Sequence, residues 1–141
     1  MELGYFLRKK TKMELIDCTE RYWEFVRKLR TDEKNTSWFY TQPTITSEDQ
    51  IKYMTNNSYR YKICIHNGVE VGYIGLLDNN EITYCVDSNY KNLGIGTFMV
   101  AEFMRIYDNL IAFVIPQNIS SSKVFEKLGF EKHYFYKYKK I

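Results

Sequence analysis

The sequence predicts an α/β (α+β) domain: a mixed, mostly antiparallel twisted sheet with helices on both faces. Three observations predict it. Between Tyr61 and Val86, short apolar runs with a period of two are separated by strong turn signals. After Gly94 the apolar period lengthens to that of a helix, and it does so again after Asn118. Strand-like segments are interleaved with those two helical runs.

The elements follow in chain order. Met13 to Ile16 reads as a short strand. Thr19-Glu20 opens a helix with Tyr22, Val26 and Leu29 on one face. Asp32 to Pro43 is polar and irregular, yet it carries Trp38, Phe39 and Tyr40. Thr46-Ser47 followed by Gln50 signals a helix start, with Ile51 and Met54 as its apolar side. Tyr61, Ile63 and Ile65 alternate with Lys62, Cys64 and His66 as in a half-buried strand. Asn67-Gly68 is a hairpin turn, and Glu70 to Leu77 is the return strand. Asp78-Asn79-Asn80 turns the chain into a third strand, Glu81 to Val86. Gly94-Ile95-Gly96 opens a helix carrying Met99, Phe103 and Ile106. Asn109 to Ile115 is a strand ended by Pro116. Asn118 caps a second helix with Val124 and Leu128, closed by Gly129. His133 to Tyr138 forms a last strand. The unit from Glu81 to Val114 should be parallel and right-handed.

A chain of 141 residues is long enough for one core, so residues 1–141 are expected to form one domain. With 45% hydrophobic and 26% charged residues, it is expected to be globular rather than disordered. The net charge of +3 favours an anionic ligand. The cations are scattered and form no basic–aromatic stripe, so no nucleic acid is expected. Cys18, Cys64 and Cys85 are odd in number and contain no CxxC pair, which points to buried thiols in a cytoplasmic protein. His66 and His133 have no ligand cluster around them, and no metal is expected. No apolar run approaches the roughly 18 residues of a membrane span, and the N-terminal apolar run is too short for a signal peptide.

The turn before the helix at Gly94 has its own physics. A tight turn feeding a helix presents several backbone N–H groups at the positive end of the helix dipole, which suits an anion. Gly94 and Gly96 let backbone approach phosphate oxygens, and Thr97 adds a hydroxyl. Turn chemistry alone would also account for two glycines at a strand–helix turn. A dinucleotide fingerprint would need glycine where Met99 stands, and a Walker loop would need Lys-Ser/Thr where Thr97-Phe98 stands.

A second motif, Asn118-x-x-Ser121-x-x-x-Phe125-x-Lys127-x-Gly129-Phe130, follows that loop. With it the chain resembles the GNAT superfamily of N-acetyltransferases. The stretch Tyr90 to Thr97 is similar to that family's Arg/Gln-x-x-Gly-x-Gly/Ala loop, with Lys91 in the Arg/Gln place. Together with the preceding meander, the resemblance covers about Tyr61 to Phe130. It implies acetyl-CoA as co-substrate. The strand Tyr84, Cys85 and Val86 would bulge and offer backbone groups to the pantetheine arm and an oxyanion donor to the thioester. Asn92, Leu93, Gly94, Ile95, Gly96 and Thr97 would wrap the pyrophosphate. Asn118 would bond the pantetheine region as well as capping its helix, and Ser121, Phe125 and Lys127 complete the implied cofactor set.

The implied reaction is direct attack of a neutral amine on the thioester, which needs a base. Glu81-Ile82-x-Tyr84-Cys85 is similar to the strand carrying the base glutamate in the family's histone acetyltransferase branch, so Glu81 is the candidate. An exposed glutamate at a strand end is its plainer account. The cysteines have no histidine or cation arranged to activate them as nucleophiles. Phe125 departs from the family, where many members carry a tyrosine that protonates the leaving thiolate.

Leu29-Arg30, Trp38 to Gln42 and Ile45-x-Ser47-x-Asp49-Gln50 look similar to the branch that acetylates nucleotide-linked deoxyamino sugars. Arg30 and Tyr40 would then contact the acceptor, although Trp38 and Phe39 suit a core plug equally well. A protein or peptide acceptor is the alternative. A non-catalytic acyl-CoA sensor is another, suggested by Phe125. A monomer or homodimer with a small-molecule amine acceptor is expected.

Overall fold

The computed structural model describes residues 12–36 and 44–141. Its sheet has four strands: β1 (Met13–Asp17), β2 (Tyr61–His66), β3 (Val69–Leu76) and β4 (Ile82–Val86), ordered β1-β2-β3-β4. All three neighbouring pairs are antiparallel. Asn67 and Gly68 take φ of 51° and 84°, both in the left-handed region that a two-residue hairpin turn requires. The Asp78-Asn79-Asn80 turn is a 3-10 segment, again with Asn79 and Asn80 at positive φ.

Helices α1 (Trp23–Thr31), α2 (Glu33–Thr36) and α3 (Ser47–Asn57) precede β2. Helices α4 (Ile95–Ile106) and α5 (Ile119–Lys127) follow β4. Val26 and Leu29 of α1 and Met54 of α3 pack with Ile63, Tyr73 and Cys85 on one face of the sheet. Ile95, Met99 and Phe103 of α4 and Phe125 of α5 pack with Cys64, Ile74 and Ile82 on the other. The expected helices on both faces are therefore present, and all three thiols are buried.

Several local expectations change. The helix at Thr19-Glu20 begins as a 3-10 turn, Glu20–Tyr22, before α1 takes over at Trp23. The segment 33–36 within the expected irregular stretch is the short helix α2. The cap of α3 is a box between Thr46 and Asp49, each side chain accepting from the other's N–H. Gln50 plays no part in that box: it is buried and donates from Nε2 to the Trp23 carbonyl at 2.8 Å. Ile51 and Ile106, read as apolar-face residues, are both exposed.

The two expected C-terminal strands are not formed as strands. Asn109 to Ile115 makes one parallel bridge, Glu81 with Ile111, and no ladder. The Ile82 N–H donates to the Ile111 carbonyl at 2.8 Å, and the Ile111 N–H donates to the Asn80 carbonyl at 3.0 Å. Beyond these bonds the backbones part, although Ala112 and Val114 still pack against the core. His133 to Tyr138 has strand-like alternation but pairs with no strand among the described residues. Tyr134, Tyr136 and Tyr138 are exposed, while Phe135 meets Phe113 edge to face at 5.4 Å.

Candidate active site

The site is built around the outer edge of β4. In an antiparallel ladder, alternate residues bond to the neighbouring strand while those between them turn their N–H and C=O outward. The Leu77 N–H donates to the Glu81 carbonyl at 2.7 Å, and the Asp87 N–H donates to the Val71 carbonyl at 2.8 Å. The residues in phase with these, Thr83 and Cys85, face β3. Ile82, Tyr84 and Val86 therefore face outward, and only Ile82 meets the bridge to Ile111. Past that bridge no ladder covers Tyr84 and Val86 among the described residues, so their backbone groups line an opening between β4 and the segment 112–116.

This geometry needs no bulge in β4, which corrects the expectation for Tyr84 to Val86. The β3–β4 register runs unbroken from Leu76↔Ile82 to Gly72↔Val86. The irregularity falls at Cys64/Ile65 opposite β3, where Val71 is the extra residue. The outward groups of β4 are exposed by divergence of the next segment rather than by a kink in the strand.

At the end of β4 a 3-10 turn, Ser88–Tyr90, leads into the loop before α4. Asn92 has φ of 64° and Gly94 of 78°, so the chain passes twice through the left-handed region before the helix begins. A Cβ on Gly94 would meet nothing within 4 Å, so the glycine answers a backbone requirement and not a packing one. The first helical bond of α4 is from the Phe98 N–H to the Gly94 carbonyl at 3.0 Å. That leaves the N–H groups of Ile95, Gly96 and Thr97 at the positive end of a twelve-residue helix with no acidic residue in its first turn. Lys91, Asn92 and Leu93 beside them are exposed.

Gly96 has a second reason to be glycine. A Cβ there would stand 3.1 Å from Tyr84 Cε2 and 3.7 Å from Tyr84 Oη. The Tyr84 ring thus closes on the α4 backbone, and its hydroxyl meets Ser121 Oγ of α5 at 2.7 Å. Asn118 caps α5 by accepting from the Ser121 N–H at 3.1 Å. Phe125 is buried, with its ring edge-to-face against Tyr84 at 6.0 Å and Phe130 at 5.0 Å. Lys127 is exposed. Burial pushes the Tyr84 phenol pKa up, and the bond to Ser121 partly opposes that shift.

Glu81 sits where β4 and the 109–115 segment still touch. It is half-buried, and burial raises its carboxyl pKa above the ordinary carboxylate value. Strand alternation places Glu81 on the α1 face with Thr83 and Cys85. Arg30 of α1 is on this side as well, and its charge acts on Tyr61, Tyr73 and Cys85. Tyr40, Trp38 and Phe39 lie outside the described residues.

The Tyr84–Ser121 pair was not singled out from sequence, because its members are 37 residues apart and each has an ordinary local role. Among the described residues no group of three or more His, Cys, Asp or Glu could hold a metal, and no helix is long and apolar enough to cross a membrane. An open groove of about 410 Å³ between β1 and α4, lined by Met13, Leu15, Lys62 and Phe98, lies toward the other edge of the sheet.

The family model for the acetyltransferase (GNAT) domain matches residues 2–131. The chain belongs to the GNAT acetyltransferase family. A GNAT acetyltransferase uses acetyl-CoA to acetylate an amine, and this protein is an enzyme of that type. Solved structures share its fold. A domain from Methanocaldococcus jannaschii is 21% identical with a TM-score of 0.75, and the match covers 88% of this chain and 91% of that one. The yncA structure from Salmonella typhimurium, with its cofactor acetyl-CoA, is 14% identical with a TM-score of 0.73, covering 84% and 79%. The aminoglycoside N-acetyltransferase AAC(6')-Iy in complex with CoA is 17% identical with a TM-score of 0.68, covering 94% and 97%. At these identities the likeness is one of fold. The antiparallel β1–β4 sheet, flanked on both faces, is this acetyltransferase's version of it.

Proposed function

We propose that this acetyltransferase acylates a small-molecule primary amine in the opening between β4 and the segment 112–116. The observation that carries the reading is the outward, unladdered backbone of Tyr84 and Val86 beside the free N–H groups that open α4. Asn92 to Thr97 hold the pyrophosphate, with Lys91 and Lys127 adding positive charge at its rim. Asn118 and Ser121 face the pantetheine arm, and Phe125 packs beneath. A β4 N–H polarises the thioester carbonyl.

Glu81 accepts the amine proton, directly or through water. Its half-buried position suits a base, because burial moves its pKa toward the working pH. The Tyr84 hydroxyl, backed by Ser121, stands against the Phe125 ring and donates a hydrogen bond to the leaving thiolate. A thiolate with an ordinary pKa near 8.5 needs only modest help to leave.

The acceptor we favour is the amino group of a nucleotide-linked deoxyamino sugar. Arg30 on the α1 face supports this choice, and so does an aminoglycoside-acetylating enzyme among the structures of the same fold. The test is thiol release from acetyl-CoA by the purified protein against three acceptors: a nucleotide-linked amino sugar, the free amino sugar, and a peptide with a free N-terminal alanine. Release with the sugars is expected. Release with the peptide alone would move the acceptor to protein. Acetyl-CoA binding without release against any of the three would place the acceptor outside these classes.

A further inference from the structure

One hydrogen bond crosses from the helices before β2 to the turn that leads into α4. The Ser88 N–H donates to Asn35 Oδ1 at 2.7 Å, across 53 residues of sequence. Asn35 is only 8% exposed, so its side chain is an interior acceptor. The turn that carries it, α2, is firmly wound. The Asp32 carbonyl accepts from the Asn35 N–H at 2.9 Å, the Thr36 N–H at 3.1 Å and the Thr36 hydroxyl at 2.9 Å. That turn sits on β4: the Cys85 sulfur lies 3.9 Å from the Leu29 carbonyl oxygen and 4.0 Å from that of Asn35.

The donor stands where β4 becomes the loop. The peptide bonds of this stretch are trans, so each N–H and C=O pair points in opposite directions. The Asp87 N–H donates to the Val71 carbonyl at 2.8 Å, which turns the Val86 carbonyl away from β3 and toward the opening. In the next peptide, Asn35 takes the Ser88 N–H while the Asp87 carbonyl accepts from the Tyr90 N–H at 2.9 Å. The Asp87 carboxylate accepts from the Asn89 N–H at 2.9 Å. The Tyr90 and Asn89 bonds are internal to the 3-10 turn and move with it. The bonds to Val71 and Asn35 tie the turn to the rest of the molecule. β3 fixes where the strand ends, and Asn35 fixes the direction in which the chain leaves it.

We propose that Asn35 is a positioning residue for acetyl-CoA: its side-chain oxygen fixes the Asp87–Ser88 peptide, the joint between the β4 edge and the loop that opens α4. The inference rests on the cofactor placement given under the proposed function, with the pantetheine arm along β4 and the pyrophosphate on residues 92–97. One ligand then spans the joint, and both of its ends are held only when the angle there is right. Without Asn35 the peptide turns freely in the unliganded protein, and binding must order it. Fixing the backbone of one residue is worth about tenfold in affinity. All the other residues proposed to hold the cofactor lie at or after Tyr84, so Asn35 adds a contribution from the opposite half of the chain.

The experiment measures the CoA affinity of the intact protein by calorimetry, together with Tm. Asn35→Leu keeps the shape of the side chain and removes the acceptor, and it should weaken CoA about tenfold. Asn35→Asp keeps an acceptor oxygen and should stay within about twofold of wild type. Gln50→Leu is the control for a general loosening. Gln50 is as buried as Asn35, and its bond, to the Trp23 carbonyl, ties α3 to α1 instead. That variant should lower Tm and leave CoA affinity unchanged. Asn35→Ser is too short to reach Ser88 yet admits water, so it reads the same loss if Asn35→Leu fails to fold. Wild-type affinity without the Asn35 acceptor, a loss that Asn35→Asp shares in full, or equal weakening by Gln50→Leu would overturn the inference. Gly94→Ala separates it from the placement on which it rests. If Gly94→Ala weakens CoA and loss of the Asn35 acceptor does not, the site stands and only the role of Asn35 fails. CoA affinity indifferent to Gly94→Ala would sink the placement itself, and the inference with it.

Discussion

Tyr84→Phe isolates a hydroxyl that ties β4 to α5. The Tyr84–Ser121 bond is 2.7 Å long and partly buried. A neutral hydroxyl pair of this kind contributes about 1 kcal/mol net. Phenylalanine keeps the contacts with Phe125 and Gly96, so the loss belongs to the hydroxyl. For a chain of 141 residues, unfolding entropy near 2 cal/mol/K per residue turns 1 kcal/mol into a fall in Tm of about 3 °C. Ser121→Ala should cost a similar amount. The double variant should cost little more than either single one, because the second substitution removes a bond already lost. The coupling measured by urea or thermal unfolding is then about 1 kcal/mol. In steady-state kinetics Tyr84→Phe should lower kcat with little change in KM for acetyl-CoA, since the hydroxyl serves the thiolate and not the bound thioester. Strictly additive stability losses would refute the pairing, and an unchanged kcat would refute the role given to it.

Three further outcomes are expected. Gly94→Ala forces a side chain into φ of 78°, costing about 1 kcal/mol of stability, and it should weaken acetyl-CoA binding several-fold by calorimetry; unaltered affinity would detach Gly94 from the phosphate site. The rate should rise with pH as the raised Glu81 carboxyl loses its proton, since only the carboxylate can accept the amine proton, and Glu81→Gln should abolish that limb. The raised folded-state pKa means that the protonated form is the one the fold favours. Glu81 therefore opposes folding increasingly as pH rises through its pKa, and Glu81→Gln should be no less stable than wild type above neutrality. Burial pushes Cys18 and Cys85 up to about 12 and Cys64 up to about 11, so only about one thiol in a thousand or fewer is ionised at pH 8; a thiol reagent should react slowly with the native protein and rapidly with three thiols in denaturant.

Where local chemistry decided the structure, the sequence was readable. Asn67-Gly68 could hardly be anything but a tight hairpin, and the structure places both at positive φ. Gly94 and Asn118 each announce a helix, and each sits at an N-cap. The segments that misled are those whose state depends on a distant partner. Asn109 to Ile115 and His133 to Tyr138 alternate like strands, but a strand is a pairing, and alternation says nothing about whether an edge is within reach. The bulge at Cys64/Ile65 was invisible because it depends on the register of β2 against β3, which neither strand's own sequence states. The surroundings of Arg30 were equally hidden: it could be picked out as a cation, but that its Nε is buried with no hydrogen-bond partner among the described residues appears only in the folded chain. Glu24 is equally unremarkable in sequence until it is seen to hold Arg27.

The parting of β4 from the segment after Ile111 also bears on solubility. An exposed row of N–H and C=O groups is a template for any extended chain, including the same segment of another molecule. Nothing local guards it, since Tyr84 and Val86 carry neither charge nor proline. Under the proposed function the co-substrate occupies that edge in the working enzyme. Starved of acetyl-CoA and CoA, concentrated protein should form β-rich aggregates more readily than protein saturated with either. The catalytic opening would then double as the molecule's weakest point in storage, with its own co-substrate as the natural stabiliser.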